Sequence, residues 1–365
     1  MLDGLKAVRV GAVDIPELLW SAGETMVLPQ GLATMVESGQ LLRAQSDRSS
    51  TDLRERRLYT PDAPVSSRLP VAYTWIPGPA RRLVARTIGR VQRDRIDRWA
   101  AFPRWPLDLS ADFLADLAGV REGRNPDGLP APVMISHDID TAEGLANLVR
   151  LFLPIEEAVG ARSSNYIVPC GWPIDHGLLG ESADRGHEVG VHGYDHSNRT
   201  PFCSESERLA RVMAALPLIE RYNVTGYRAP SLLRTKELLG DLARYYRYDS
   251  SVPTSGGLYP VPNNGCASAR PFRLEGIWEI PLTLPRDGSM RFLGFSPEKI
   301  LQYWISCAER IARSGGIVSL LTHCETGMSG NGPMLEIYRR FLEYVAADTR
   351  YRFTTAQEFS AGLGD

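Results

Sequence analysis

The chain has 365 residues, of which 43% are hydrophobic and 23% charged, and it carries a formal net charge of −2 at pH 7. That length suits one large domain with an extension, or two domains, and leaves room for a sizeable core. The near-neutral balance excludes a global field that recruits nucleic acid, and no apolar run reaches the length that crosses a bilayer.

The opening stretch, MLDGLKAVRVGAVDIPELLW, lacks a basic n-region followed by an unbroken apolar run, so no secretory signal is expected. The five cysteines (Cys170, Cys203, Cys266, Cys307 and Cys324) form no CxxC pair, which argues against a zinc knuckle or a thioredoxin-like site. Their odd number and the missing signal predict a reducing cytoplasm. Composition shifts near residue 125, dividing an Arg- and Pro-rich N-terminal part (residues 1–125) from the rest (126–365). Within the first part, residues 80–102 (ARRLVARTIGRVQRDRIDRWAAF) read as an amphipathic helix, with Val84, Ile88, Val91 and Trp99 on one stripe and arginines elsewhere. Such a helix packs on a core with a solvated charged face, or lies on an anionic membrane surface. The first reading is the commoner one. The second would make the protein peripheral to the inner membrane face. REGRNPDGLP, residues 121–130, has the breakers of a linker.

Beyond it, strand-like and helix-like stretches alternate. Strands are expected at 131–137, 163–169, 186–192, 224–230, 246–252, 277–283 and 316–323. Helices are expected at 144–158, 205–222 (carrying Pro217), 235–246, 298–313 and 333–347, with a short strand and TAQEFSAGL to close. Repeated βα units imply a parallel sheet with crossover helices. Some seven strands from one region predict a closed or nearly closed barrel, whose chemistry sits at the C-terminal strand ends.

Four of these strands end in ionisable residues. GHEVGVHGYDHS holds three of the six histidines. His192 closes the strand and His196 follows on the turn, and two imidazoles at that spacing can reach one metal ion. APVMIS runs into His137-Asp138-Ile139-Asp140, and two carboxylates there are costly to bury without a task. Asp140 alone would also suit a helix N-cap. Arg228 ends VTGYR, where it can hold a carboxylate ionised. His323 ends GIVSLLTH. His187 alternates in phase with Val189 and Val191, not with His192, and is expected to be structural. Asp195 is expected to be solvent-exposed.

These motifs, in this order, resemble the polysaccharide deacetylase family, also called NodB-homology or carbohydrate esterase family 4, over roughly residues 130–359. The resemblance implies an α/β fold, an irregular (β/α)7-type barrel with an N-terminal extension or small cap domain. It implies a divalent metal, zinc above all, with cobalt, nickel or iron also accepted by such ligands. The metal ligands would be His192, His196 and Asp140, and the base Asp138. The one-residue spacing in Asp138-Ile139-Asp140 leaves the reverse division open. Arg228-Ala229-Pro230 matches the family's third motif, so Arg228 would orient the base and the Ser231 N–H would stabilise an oxyanion. Leu321-Thr322-His323 matches the last motif, with His323 as general acid, and the aspartate that orients it in many members is carried over to Asp249. Trp278 or Leu321 is the candidate lining for the acyl methyl. The implied activity is hydrolysis of an N-acyl amide on an amino sugar, free, nucleotide-linked or lipid-linked. A cytoplasmic setting disfavours mature chitin or peptidoglycan. The alternatives are an amidase on a non-sugar C–N bond and a catalytically silent sugar-binding or scaffold protein. Nothing in the sequence fixes the oligomeric state.

Overall fold

The computed structural model describes residues 129–254, 269–292, 294–314 and 316–364. Before residue 129 it describes short pieces only: 8–10, 13–15, 58–60, 62–68, and the single residues 80, 83 and 87. The boundary expected near residue 125 and most of the helix expected at 80–102 lie outside these residues.

Nine strands form one sheet: β1 (Ala131–Ile139), β2 (Ser163–Ile167), β3 (Glu188–His192), β4 (Gly226–Arg228), β5 (Tyr248–Asp249), β6 (Phe272–Leu274), β7 (Ile277–Glu279), β8 (Val318–His323) and β9 (Tyr351–Phe353). Their order is β8-β1-β2-β3-β4-β5-β7-β6, and β9 also pairs with β1. Every pairing is parallel except the β6–β7 hairpin. The sheet curls into an open barrel. The extended stretch after β7 draws the curl together: the Leu282 N–H donates to Val252 O (3.0 Å), and the Leu284 N–H donates to Ser319 O on β8 (3.0 Å).

β1 explains why the strand runs are apolar rather than alternating. Val133, Ile135 and Ile139 pack outward into the main core with the helices, while Met134 packs inward. Both faces are buried, as in other helix-covered parallel sheets. The interior below the site is filled by Met134, Tyr166, Tyr248, Ile280 and Ile317. The helix Ala356–Ala361 plugs the end of the barrel opposite the C-terminal strand ends. Its Ala356 N–H donates to Ser164 Oγ (2.9 Å) and its Gln357 N–H to Glu188 Oε2 (2.9 Å), both at strand starts.

Helix boundaries follow local chemistry. The helix expected at 205–222 is two helices, Glu205–Met213 and Leu216–Tyr222, because Pro217 lacks an N–H and suits the first turn of a new helix. The helix after β1 spans Ala142–Asn147, passes through a wide turn at Leu148–Phe152, and continues as Leu153–Glu157. His187 takes the structural role expected of it: with His137 it brackets the fully buried Glu156, at 3.4 and 2.9 Å, on the outer face of the sheet. No helix among the described residues is long and apolar enough to cross a membrane.

Candidate active site and metal centre

Asp138 and Asp140 are two residues apart, so both leave the end of β1 on its inward face. The cap of the following helix is Thr141, whose hydroxyl accepts the Gly144 N–H (3.0 Å), so Asp140 is not occupied with capping. β3 ends at His192, and Gly193 breaks the strand with φ 68°. A Cβ at Gly193 would stand 2.4 Å from the Pro230 ring, so glycine alone lets this turn approach the Arg-Ala-Pro loop. His196 follows with φ 58°. Asp195 differs from its expected exposure. It is half-buried and pins the turn, accepting hydrogen bonds from the Ser197 N–H (3.0 Å), the Ser197 hydroxyl (2.5 Å) and Arg211 Nη1 (3.3 Å).

His192 Nε2 and His196 Nε2 converge on Asp140 Oδ1, at 3.6 and 3.5 Å. The ligand atoms of Asp140, His192 and His196 all lie within 4.8 Å of one another, and they are the one such set among the described residues. Asp140 Oδ1 is buried and makes no hydrogen bond. His192 Nδ1 lies 2.9 Å from the Arg228 carbonyl oxygen, which fixes its N–H there and leaves the Nε2 lone pair facing the cluster. Burial pushes the His192 pKa down, against the pull of Asp138 and Asp140, and so favours the neutral ligand form. Two imidazole nitrogens and an otherwise unsatisfied carboxylate oxygen fit a divalent metal of the zinc type.

Asp138 stands beside this set, its Oδ2 3.6 Å from His192 Nε2. Its Oδ1 accepts a hydrogen bond from Arg228 Nη1 (2.9 Å). Burial pushes the Asp138 carboxyl up, but the charges of His192, Arg228 and His323 together hold it at about 2. Arg228 is itself 1% exposed and held by Ser250, through its carbonyl (3.0 Å) and its hydroxyl (3.1 Å), with its guanidinium 4.0 Å over the Tyr166 ring.

Strand register sets His323 directly beside Asp138 across β8 and β1. Its Nδ1 is 2.9 Å from Asp287 Oδ1. Asp287 also accepts the His323 N–H (2.8 Å) and the Ser329 hydroxyl (2.7 Å) through Oδ2. Burial pushes the His323 pKa down, but Asp287, with Asp138 and Asp140, raises it to about 10. The partner expected from the sequence was Asp249, and that assignment is corrected: Asp249 is bonded to Ser251 (Oγ 2.7 Å, N–H 3.2 Å). It supports the site indirectly, since the same Ser251 hydroxyl accepts the Ala229 N–H (2.8 Å). Trp278 is also corrected. Its indole N–H donates to Gly364 O (2.8 Å) and its ring packs on the interior cluster that includes Ala356, at the plugged end of the barrel. Leu321 instead forms a small buried cluster with Leu232 and Leu282. Ser231, between the third-motif proline and Leu232, has φ 53°.

Among solved structures, the chain is similar to a Mycobacterium smegmatis protein assigned as a polysaccharide deacetylase, at 19% identity and a TM-score of 0.51, over 65% of this chain and 91% of that one. The fold is that of the polysaccharide deacetylases. Two weaker overlaps are with the chitin deacetylase of the fungal pathogen Colletotrichum lindemuthianum (17% identity, TM-score 0.43, 63% and 87% covered) and with Puue allantoinase (15%, 0.46, 70% and 96%). No family model and no curated protein matches the sequence.

Two acids of this deacetylase-type barrel escaped the sequence reading. Asp287 begins the helix Asp287–Phe292, and nothing local in PRDGSM marks it. Glu325 lies two residues past His323 and accepts a hydrogen bond from the Thr141 hydroxyl (2.8 Å). A Cβ on Gly144 would stand 2.5 Å from Glu325 Oε1, so the first helical turn must be bare for this acid to settle there. Burial and the charge of Asp140 push the Glu325 carboxyl up to about 7. The carboxylate two residues after a strand-end histidine was the available signal.

Proposed function

We propose that the chain is a metal-dependent de-N-acylase. It hydrolyses the N-acyl amide of an amino sugar, carried free, on a nucleotide or on a lipid-linked small glycoconjugate, and releases a carboxylate, most simply acetate, and a free amine. The observation that carries this reading is the pairing of Asp138 with His323. The two are register neighbours on adjacent strands beside the metal-type cluster. One is held ionised at about 2 and the other protonated to about 10. Titratable groups driven apart in this way mark a base and an acid at neutral pH.

A divalent ion held by Asp140, His192 and His196 would supply Lewis-acid polarisation of the amide carbonyl and acidify water. Asp138, steadied through Oδ1 by Arg228, accepts the proton of the attacking water at Oδ2. The Ser231 N–H stabilises the oxyanion that forms as the carbonyl carbon becomes tetrahedral. His323, charged and aligned by Asp287, gives its proton to the amine as the C–N bond breaks. Leu321, with Leu232 and Leu282, offers an apolar seat for the acyl methyl. The base and ligand roles go to Asp138 and Asp140 respectively, because Arg228 bonds Asp138 while Asp140 Oδ1 is the oxygen between the two imidazoles.

The test is release of acetate and formate by zinc- or cobalt-loaded protein from free, nucleotide-linked and lipid-linked N-acylated amino sugars. Release that stops with a chelator and returns with metal is the expected outcome. A protein that binds one ion per chain yet releases nothing from any of them would move the reading to a non-sugar amide. The Arg-rich stretch at 80–102 supports peripheral contact with the cytoplasmic membrane face, checked by flotation with anionic liposomes, and no binding at low salt removes it.

A further inference from the structure

Residues 58–60 and 62–68 lie far from the barrel in sequence but against the loops that carry its reactive groups. Leu58 is 1% exposed within the main core. Its carbonyl accepts Arg234 Nε at 2.6 Å. Thr60 and Arg234 exchange two hydrogen bonds, from the Thr60 N–H to Arg234 O (2.7 Å) and from the Arg234 N–H to Thr60 Oγ1 (3.2 Å). Tyr59 donates its hydroxyl to Glu275 Oε1 (2.5 Å). Arg234 is 1% exposed, and its Nη1 reaches Leu232 O (2.8 Å) and Ser251 O (3.2 Å). One buried guanidinium thus ties residue 58 to the loop that holds Arg228 and Ser231.

The segment then turns through Val65–Arg68, and Ser66 Oγ accepts a hydrogen bond from Asn198 Nδ2 at 3.2 Å. Asn198 is two residues beyond His196, is 5% exposed and has φ 65°. The turn from Asp195 to Asn198 therefore holds two non-glycine residues in the left-handed region, His196 and Asn198. Such backbone is unfavourable for side-chain-bearing residues and persists only where its surroundings over-determine it. Asp195 and Arg211 hold the turn from within the barrel domain, and Ser66 holds it from outside.

We infer that residues 58–60 and 62–68 are a positioning strap of the metal centre, fixing the His196 turn through the Ser66–Asn198 hydrogen bond and the Ser231 loop through Arg234. The inference rests on the metal reading above. Leu58, Thr60 and Ser66 are then working components of the site.

The experiment uses full-length chains and cobalt(II) as probe, reading affinity and the visible d–d band of the bound ion. The wild-type chain comes first, because failure to bind cobalt would sink the metal reading itself. Ser66→Ala should weaken cobalt binding by about three- to tenfold and shift the band. Ser66→Thr, which keeps the hydroxyl, should restore both. Ser67→Ala is the control: its hydroxyl donates to Pro64 O (2.7 Å) in the same segment, and the substitution should leave the band in place. Wild-type binding with an unchanged Ser66→Ala spectrum overturns the strap, and so does Ser67→Ala acting as strongly as Ser66→Ala.

Discussion

Asp287 and His323 form the pair on which the proton inventory of the site turns. Asp287 is fully buried and accepts four hydrogen bonds, two of them from His323. Because the folded-state pKa of His323 is raised, the stability it contributes is complete below its ordinary value of about 6.5 and is lost as pH rises through about 10. Activity should hold to alkaline pH for the same reason, with its upper limb near 10. Asp287→Asn removes the charge that opposes burial, so His323 loses its proton at lower pH. Its pH–rate profile should show the alkaline limb moved below pH 8, with kcat at pH 8 reduced by about 10²–10³-fold. An unmoved limb would show that another group sets it. Asp138→Asn should keep one metal per chain by elemental analysis and lose turnover by about 10²–10⁴-fold. Unchanged turnover in that variant would remove Asp138 as base.

β5 and β7 meet at a second buried pair of acids, Asp249 and Glu279, which are register partners. Burial pushes both carboxyls up, and the Asp249 charge drives Glu279 well above its ordinary value, so the pair holds a shared proton. A raised carboxyl stabilises the fold fully below its unfolded pKa, about 4.5, and loses that contribution as pH rises through the folded value. Glu279→Gln keeps an acceptor for the Val252 N–H, bonded at 2.8 Å, and gives Asp249 a donor that cannot ionise. Its melting temperature should exceed that of the wild type by about 2–4 °C at pH 8, and the gap should close near pH 4. A fall at pH 8 in a scanning calorimeter would refute the shared proton.

At this scale the sequence was a good guide to faces and a poor one to height. β1, β3, β4 and β8 were legible because their apolar runs stop at His, Asp or Arg, which have no business inside a barrel except at its working end. Trp278 went astray because a strand's period of two says which way a residue points and nothing of which end of the barrel it reaches. β6 was missed, three residues long and following a stretch without strong pattern.

At the largest scale, the cluster of Asp140, His192 and His196 joins β1 to the turn after β3, and Ser66 reaches that turn from before the barrel. A bound ion should therefore act on global stability. At a free metal concentration one hundred times its dissociation constant, linkage contributes about 2.7 kcal/mol, or roughly 5–10 °C in melting temperature. Chelation should reverse the rise, and a His196→Ala chain should show none of it. Little of this long-range architecture was readable in advance. The partner of His323 comes from a helix 36 residues upstream, and the strap's contacts with Asn198 and Arg234 span 132 to 176 positions. Neither leaves a local pattern, because each is decided by tertiary packing alone.

The two-faced strand β1 carries a consequence for how the chain tolerates change. Positions 133, 135, 137 and 139 meet the helices, and positions 134, 136, 138 and 140 meet the barrel interior. In a saturation library scored separately for abundance and for turnover, the two maps should alternate along one short word of sequence. Variants at the odd positions disappear from the cell, whereas many at 138 and 140 accumulate as well-folded protein without chemistry. Heredity thus reads the same eight letters twice, once for a body and once for a trade.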